Sequence, residues 1–128
     1  MNNEKHKAKI LVADDESEIR GILKDFFVQK KYEVDLAESG REAIDKLNAY
    51  KPDILLLDMN MPDMDGEEVL KYIDEHDLNV GVIIITAYPD YIKDKKLLGR
   101  AYDYIIKPFD LEYLNSTVIT KVTLLRGD

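Results

Sequence analysis

Asp58 closes an unbroken apolar run, Ile54-Leu55-Leu56-Leu57, and opens into Met59-Asn60-Met61-Pro62-Asp63-Met64-Asp65-Gly66, a stretch rich in turn-forming residues. A run of that kind suits a strand covered on both faces, so its terminal carboxylate falls at the lip of a sheet. Asp14 and Asp15 stand in the same relation to the apolar segment Lys9–Ala13. Thr86 ends Val80–Thr86, and Lys107 follows directly on Tyr102–Ile106. If these strands run parallel, their carboxyl ends share one rim, the place where open α/β sheets bind ligands. Three acids meeting there repel one another, and a hard cation such as Mg²⁺, which takes carboxylate, carbonyl and phosphate oxygens, would relieve the repulsion. Carboxylates, a cation, an ammonium and a hydroxyl together describe a pocket for a phosphoryl group, with Asp58 as a carboxylate nucleophile.

The elements that must position these groups are legible from their periodicity. Glu16–Lys30 carries Ile19, Ile22, Leu23, Phe26 and Phe27 at the spacing of a helix lying on a sheet. Tyr32–Ala37 reads as a half-alternating strand, with Val34 and Leu36 on one face. Ser39-Gly40-Arg41-Glu42 has capping-box spacing and leads into a helix burying Ala43, Ile44 and Leu47. Pro52 precedes the strand that ends at Asp58. Asp65-Gly66-Glu67-Glu68 opens a helix with Val69, Leu70 and Ile73 inward. Val80–Thr86 is β-branched enough to be a central strand. Tyr91–Leu98 suggests a short, Lys-rich fourth helix. After the strand Tyr102–Ile106, Asp110 caps a last helix aligning Leu111, Leu114, Val118, Val122 and Leu125. Strand and helix alternating five times predict a doubly wound α/β domain: a five-stranded parallel sheet flanked by five helices, with right-handed crossovers.

The bulk properties agree. A chain of 128 residues suits one compact domain. Residues 1–8, polar and Lys-rich, are expected to form a flexible tail, and 9–126 the domain. With 26 acidic and 18 basic residues the formal charge is −8, which argues against contact with nucleic acid. The absence of Cys excludes disulfides, zinc-thiolate sites and thiol catalysis. No apolar run reaches the roughly 18–20 residues that span a bilayer, and no signal-peptide core is visible. The expected location is the cytoplasm, with no membrane contact.

Taken singly, each candidate has a plainer reading. Asp15 with Glu18 makes an equally good capping box. Asp14 reads as a solvated rim acid, Asp58 as a turn initiator, and Thr86 as an ordinary strand end. Lys107-Pro108 reads as a surface Lys before a helix-starting Pro. Five such accidents on one rim are improbable together, and the joint placement carries the argument.

With these pieces in place the chain resembles the receiver domain of two-component response regulators, a flavodoxin-like family that includes the chemotaxis receiver and has strand order 2-1-3-4-5. The resemblance rests on Leu11-Val12-Ala13-Asp14-Asp15, on Asp58 through Gly66, on Ile85-Thr86-Ala87 and on Tyr104-Ile105-Ile106-Lys107-Pro108-Phe109, and it covers nearly the whole chain. It implies that Asp58 accepts a phosphoryl group from a sensor histidine kinase or histidine phosphotransfer protein. Asp15, Asp58 and the Asn60 backbone carbonyl are the implied Mg²⁺ ligands, with Asp14 orienting water of the metal's shell. Lys107 would pair with phosphoryl oxygens and Thr86 would donate to one of them. Ala87 matches a position kept small for phosphoryl entry, and Pro108 one whose preceding peptide bond is cis. Tyr104 matches a switch aromatic that turns inward as Thr86 moves, against the plainer reading of a fixed core tyrosine. The face built by the fourth predicted helix, fifth strand and last helix would change accordingly, and homodimerisation through that face is a further expectation.

Two departures stand out. Arg100-Ala101 replaces the family's usual Gly-Ala, with Gly99 one place early, and a bulky Tyr88 stands two past Thr86. Tyr88 is expected to overhang the pocket and shield the acyl phosphate from water. Asn60, Ala87, Tyr88 and Pro108 thus form a pocket-modulating set.

Two other function classes compete with a phosphorylation-activated switch. Aspartate-nucleophile phosphatases also join Asp, Mg²⁺, Thr and Lys, but place the nucleophile in Asp-x-Asp after the first strand, where this chain reads Asp14-Asp15-Glu16. A receiver-like interaction domain that works unphosphorylated usually lacks a pocket residue, and none is missing here. The protein is therefore expected not to be an enzyme beyond its own aspartyl phosphorylation and dephosphorylation. With the last helix using up the sequence, no output domain is expected within it, which suits either a stand-alone relay or one module of a longer protein. Partner specificity is expected on the first helix and the loop at Pro108, where Ile19, Ile22 and Phe109 would be partly exposed.

Overall fold

The computed structural model describes residues 8–61, 66–87 and 99–126. Five strands, β1 (Lys9–Ala13), β2 (Glu33–Ala37), β3 (Ile54–Asp58), β4 (Gly81–Thr86) and β5 (Asp103–Ile106), form one parallel sheet in the order β2-β1-β3-β4-β5. Four helices lie among the described residues: α1 (Ser17–Gln29), α2 (Gly40–Ala49), α3 (Gly66–Glu75) and α4 (Leu111–Arg126). The helix expected over Tyr91–Leu98 and the cap expected at Asp65 fall outside the described residues.

Strand side chains alternate between two cores, as a pleated backbone requires. Leu11, Ala13, Leu55, Leu57, Val82 and Ile84 pack with Ala43 and Leu47 of α2 and Val69, Leu70 and Ile73 of α3. Ile10, Val12, Ile54, Leu56, Ile83, Ile85 and Ile105 meet Leu23 and Phe27 of α1 and Leu114 and Val118 of α4. Strands buried on both faces explain why their sequences read as continuous apolar runs rather than as alternation.

Local chemistry sets the helix ends. Ser39 Oγ accepts from Glu42 N–H at 3.1 Å, the expected cap, but the Glu42 carboxylate reaches back to the N–H of Glu38, not to that of Ser39. Asp110 Oδ1 accepts from the N–H groups of Glu112 and Tyr113, capping α4 as its sequence predicts. At the end of α1, Lys31 is left-handed (φ 75°); its N–H donates to Val28 O and that of Tyr32 to Phe27 O, a Schellman closure. The Tyr32 and Phe27 rings pack edge-on at 5.7 Å across it. Asp77 (φ 50°) ends α3 in the same way, with Leu78 N–H on Ile73 O.

Two expectations need correction. Ala8, assigned to the tail, is fully buried and its carbonyl accepts from Glu33 N–H. Residues 1–7 lie outside the described set. Asp15 does not cap α1; Glu16 is the N-cap residue and forms no side-chain cap.

Candidate functional site

The carboxyl ends of β1, β3, β4 and β5 bring the expected residues to one rim. Asp14, just past β1, keeps sheet pairing through its N–H on Ala37 O at 3.0 Å, and its side chain is almost fully buried. Its Oδ1 accepts from Glu16 N–H at 2.9 Å. Arg20 Nη1 donates to the Asp14 carbonyl at 2.7 Å, tying the strand end to the first turn of α1. Asp15 is exposed. Asp58, the last residue of β3, is 4% exposed, and its Oδ1 accepts from Asn60 N–H at 3.2 Å in the turn that leaves the strand. Carboxylate oxygens of Asp14, Asp15 and Asp58 all lie within 4.8 Å of one another.

Thr86 is fully buried at the end of β4, and its carbonyl accepts from Lys107 N–H at 2.8 Å. That bond carries the β4–β5 ladder one step past Ile106 and directs Lys107 over the acids. Lys107 Nζ lies 2.9 Å from Glu16 Oε1, 3.1 Å from Asp14 Oδ2 and 3.7 Å from Asp58 Oδ2. The Lys107–Pro108 bond is cis, as the resemblance implies. Ala87 is exposed at the rim. Tyr104 is 49% exposed on β5, which excludes a fixed core tyrosine. Tyr88 and Pro62 lie outside the described residues.

The electrostatics follow from this crowding. Burial, then the neighbouring Asp14 charge, pushes the Asp58 carboxyl up to about 7, although Asn60 N–H and Lys107 oppose the shift. Asp14 is raised as well, chiefly by burial. Burial works to lower Lys107, but the hydrogen bond to Glu16 and the charges of Asp14 and Asp58 outweigh it and hold the ammonium protonated. One cation thus serves several acids, and the all-oxygen donor set suits a hard divalent ion. Both Asp14 oxygens are already engaged, which fits it less well for direct ligation than Asp15 or Asp58.

Two residues escaped sequence reading. Glu16 and Arg20 contact Lys107 and Asp14 respectively, and neither motif spacing nor periodicity signals that a helix N-cap turns back onto a residue 91 positions away. Beside the site runs a mostly apolar groove of about 500 Å³, lined by Ile19, Ile22, Pro108, Phe109 and Leu111 together with Glu16, Ala87 and Lys107. Ile19 and Phe109 are half-buried there, so the exposure expected of this surface is present. At the entry to β5, Arg100 donates to Leu78 O at 2.8 Å and pairs with Asp74, fastening the non-Gly residue to the end of α3.

Comparison with known proteins gives the family of this chain. A family model described as response regulator receiver domain matches residues 10–119. Sporulation initiation phosphotransferase F of Bacillus subtilis is 41% identical over 112 residues, covering 86% of this chain and 90% of that protein. Regulatory protein AtoC of Escherichia coli is 39% identical over 111 residues, and there the match spans 86% of this chain but 24% of the relative. The crystal structure of the response regulator TrrA of Thermotoga maritima, in complex with Mg²⁺-BeF, superposes with a TM-score of 0.81 at 35% identity, covering 89% of this chain and 98% of that one.

Proposed function

The chain belongs to the response regulator receiver domain family, and from that membership we propose that Asp58 is its phosphoacceptor and that phosphorylation remodels its partner-binding face. Receiver domains are signalling domains rather than enzymes in the ordinary sense, and they take phosphoryl groups from histidine kinases or phosphotransfer proteins. The observation that supports the assignment most strongly is the convergence of Asp14, Asp15 and Asp58 within 4.8 Å, with the Lys107 ammonium 3.7 Å from Asp58.

In this reading an Asp58 oxygen forms a P–O bond as the N–P bond of a phosphohistidine breaks, and the departing imidazole keeps the electron pair and takes up a proton. Asp58 must be ionised to attack, so any proton its buried carboxyl holds has to leave first. Asp15, Asp58 and the Asn60 carbonyl would hold Mg²⁺, with Asp14 orienting water beside it, and such an ion would supply positive charge against the acids and the phosphoryl oxygens. Lys107 pairs with one phosphoryl oxygen and Thr86 donates to another. The attached group brings roughly 1.5–2 negative charges by analogy with hydroxyl phosphoesters. Thr86 and Lys107 move toward that charge, and Tyr104 follows inward. Hydrolysis of the acyl phosphate at the same site, moderated by Asn60, Ala87, Tyr88 and Pro108, resets the switch.

The donor protein docks on the groove between α1 and the Pro108 loop. Tyr104 and Ile106, each 49% exposed on the edge strand β5, lie on the face expected to pair in a homodimer. No helix among the described residues is long and apolar enough to cross a membrane, and the cytoplasm is the proposed location. We take residues 8–126 as the folded receiver unit. The deciding experiment is intact-mass measurement with acetyl phosphate and Mg²⁺: the parent should gain one phosphoryl group and Asp58→Asn none. A parent that gains nothing overturns the assignment.

A further inference from the structure

Glu16 occupies the N-cap position of α1 without capping it. Its N–H is taken by Asp14 Oδ1, and its carboxylate turns to Lys107, with Oε1 2.9 Å from Nζ. This is the shortest of the three acid contacts around the ammonium, ahead of Asp14 at 3.1 Å and Asp58 at 3.7 Å. An ammonium carries three N–H donors. Glu16 and Asp14 lie within hydrogen-bond range of two of them, while the Asp58 separation exceeds that range. Lys107 is therefore held by the β1–α1 junction rather than by the residue whose phosphoryl group it is to meet.

Resting on the reading of Asp58 as phosphoacceptor, we propose that Glu16 is a positioning residue that restrains Lys107 in the unphosphorylated protein and slows entry of the phosphoryl group. Its third N–H is left for an arriving phosphoryl oxygen, but Nζ stands 3.7 Å from Asp58, and a shift toward the anion either stretches the bond to Glu16 or carries that carboxylate up against the anion. Either way, a contact stronger in the ground state than in the transition state raises the barrier. Asp14 cannot act as such a latch, since it is buried and its other oxygen is fixed by Glu16 N–H. The Glu16 side chain is 58% exposed and can swing into water at small cost, so the restraint is weak and releasable. Glu16 and Lys107 both line the groove beside the site, which places the latch where a docked donor would meet it.

The test compares parent, Glu16→Gln and Glu18→Gln with acetyl phosphate in one Mg²⁺ buffer. Glu18→Gln removes the same charge from the first turn of the same helix, and Glu18 has no ion pair among the described residues. The initial phosphorylation rate is expected to rise about two- to fivefold in Glu16→Gln, the range of a weak ion pair, and to match the parent in Glu18→Gln. In unphosphorylated Glu16→Gln the Cε and Hε chemical shifts of Lys107 should move, with little change in melting temperature. Equal or slower phosphorylation of Glu16→Gln, or the same gain in Glu18→Gln, overturns the proposal, as does an unmoved Lys107 signal. A parent that takes no phosphoryl group at all defeats the phosphoacceptor reading, and this proposal with it, a result distinct from equal rates in proteins that are labelled.

Discussion

Lys107 Nζ and Asp58 Oδ2 stand 3.7 Å apart, with side chains only 15% and 5% exposed, so the pair is an electrostatic contact in a poorly solvated place rather than a hydrogen bond. Removing the cation leaves Asp58 and Asp14 facing each other without compensation. Lys107→Met should therefore destabilise the metal-free protein by roughly 2–4 kcal/mol near neutral pH, as when one partner of a buried pair is lost. Urea unfolding in EDTA measures this. The loss should shrink as the pH is lowered, because protonation of Asp58 then does what Lys107 did. A variant as stable as the parent at every pH would show that the ammonium does not neutralise the cluster.

The Asp58 carboxyl itself titrates against stability. Its folded value, about 7, lies above the ordinary carboxylate range because of burial and the Asp14 charge. A carboxyl raised on folding contributes stability that is complete below the unfolded pKa and is lost as the pH climbs through the folded one, at about 1.4 kcal/mol for each pH interval of one between the two values. In EDTA the parent should therefore weaken between about pH 4 and pH 7 and level off above that. Asp58→Asn should flatten that slope and exceed the parent in stability at the upper end. Chemical denaturation across the range decides, and a parent curve no steeper than the variant's would contradict it.

Addition of Mg²⁺ should reverse the same penalty. An ion that binds only the folded state stabilises it by about 2.7 kcal/mol at a concentration 100 times its dissociation constant. The rise in melting temperature should be larger at about pH 8 than at pH 5.5, since protons compete for the acids. It should also be smaller in Asp58→Asn and Asp15→Asn than in the parent. A pH-independent rise, or one unaffected by either change, would place the ion elsewhere.

Gly66, the first residue of α3, controls the loop that leaves Asp58. Its N–H donates to Met59 O at 3.0 Å, and a Cβ built there would meet Met59 Sδ at 2.5 Å, Met59 Cα at 2.7 Å and Asp58 O at 2.9 Å. Two of those three atoms are backbone and cannot rotate away. Gly66→Ala should cost about 1–3 kcal/mol, the usual range for overpacking. It should also weaken Mg²⁺ binding, because relief of the clash moves the backbone at Asp58. Unfolding and Mg²⁺ titration test the two effects separately. Full stability would mean that α3 shifts as a body.

How far the sequence reaches is clear from such positions. The sheet was legible because strands buried on both faces must be apolar at nearly every residue, as in Ile54–Leu57 and Gly81–Ile85. The acids and Lys107 were legible because each sits directly after such a run. Glu16 was not, since its contact with Lys107 depends on how two loops approach and leaves no periodic trace. Helix exits were hidden for a further reason. Glycine is the usual mark of a left-handed C-terminal residue, whereas here Lys31, Lys51 and Asp77 take that conformation.

That last feature carries its own prediction. Lys31 follows α1 with φ 75°, exposed to solvent, while the closure around it is complete: its N–H on Val28 O, Tyr32 N–H on Phe27 O, and the two rings in contact. A left-handed residue with a Cβ costs roughly 1–2 kcal/mol, and glycine gives back part of the difference through a freer unfolded chain. Lys31→Gly should thus raise stability by about 0.5–1 kcal/mol, whereas a β-branched residue such as Val should lower it. Neither change touches the phosphorylation site, so initial labelling rates with acetyl phosphate should equal the parent's. Thermal unfolding of the pair gives the answer: a glycine variant less stable than the parent would mean that the Lys31 side chain contributes more through its surroundings than its backbone conformation costs.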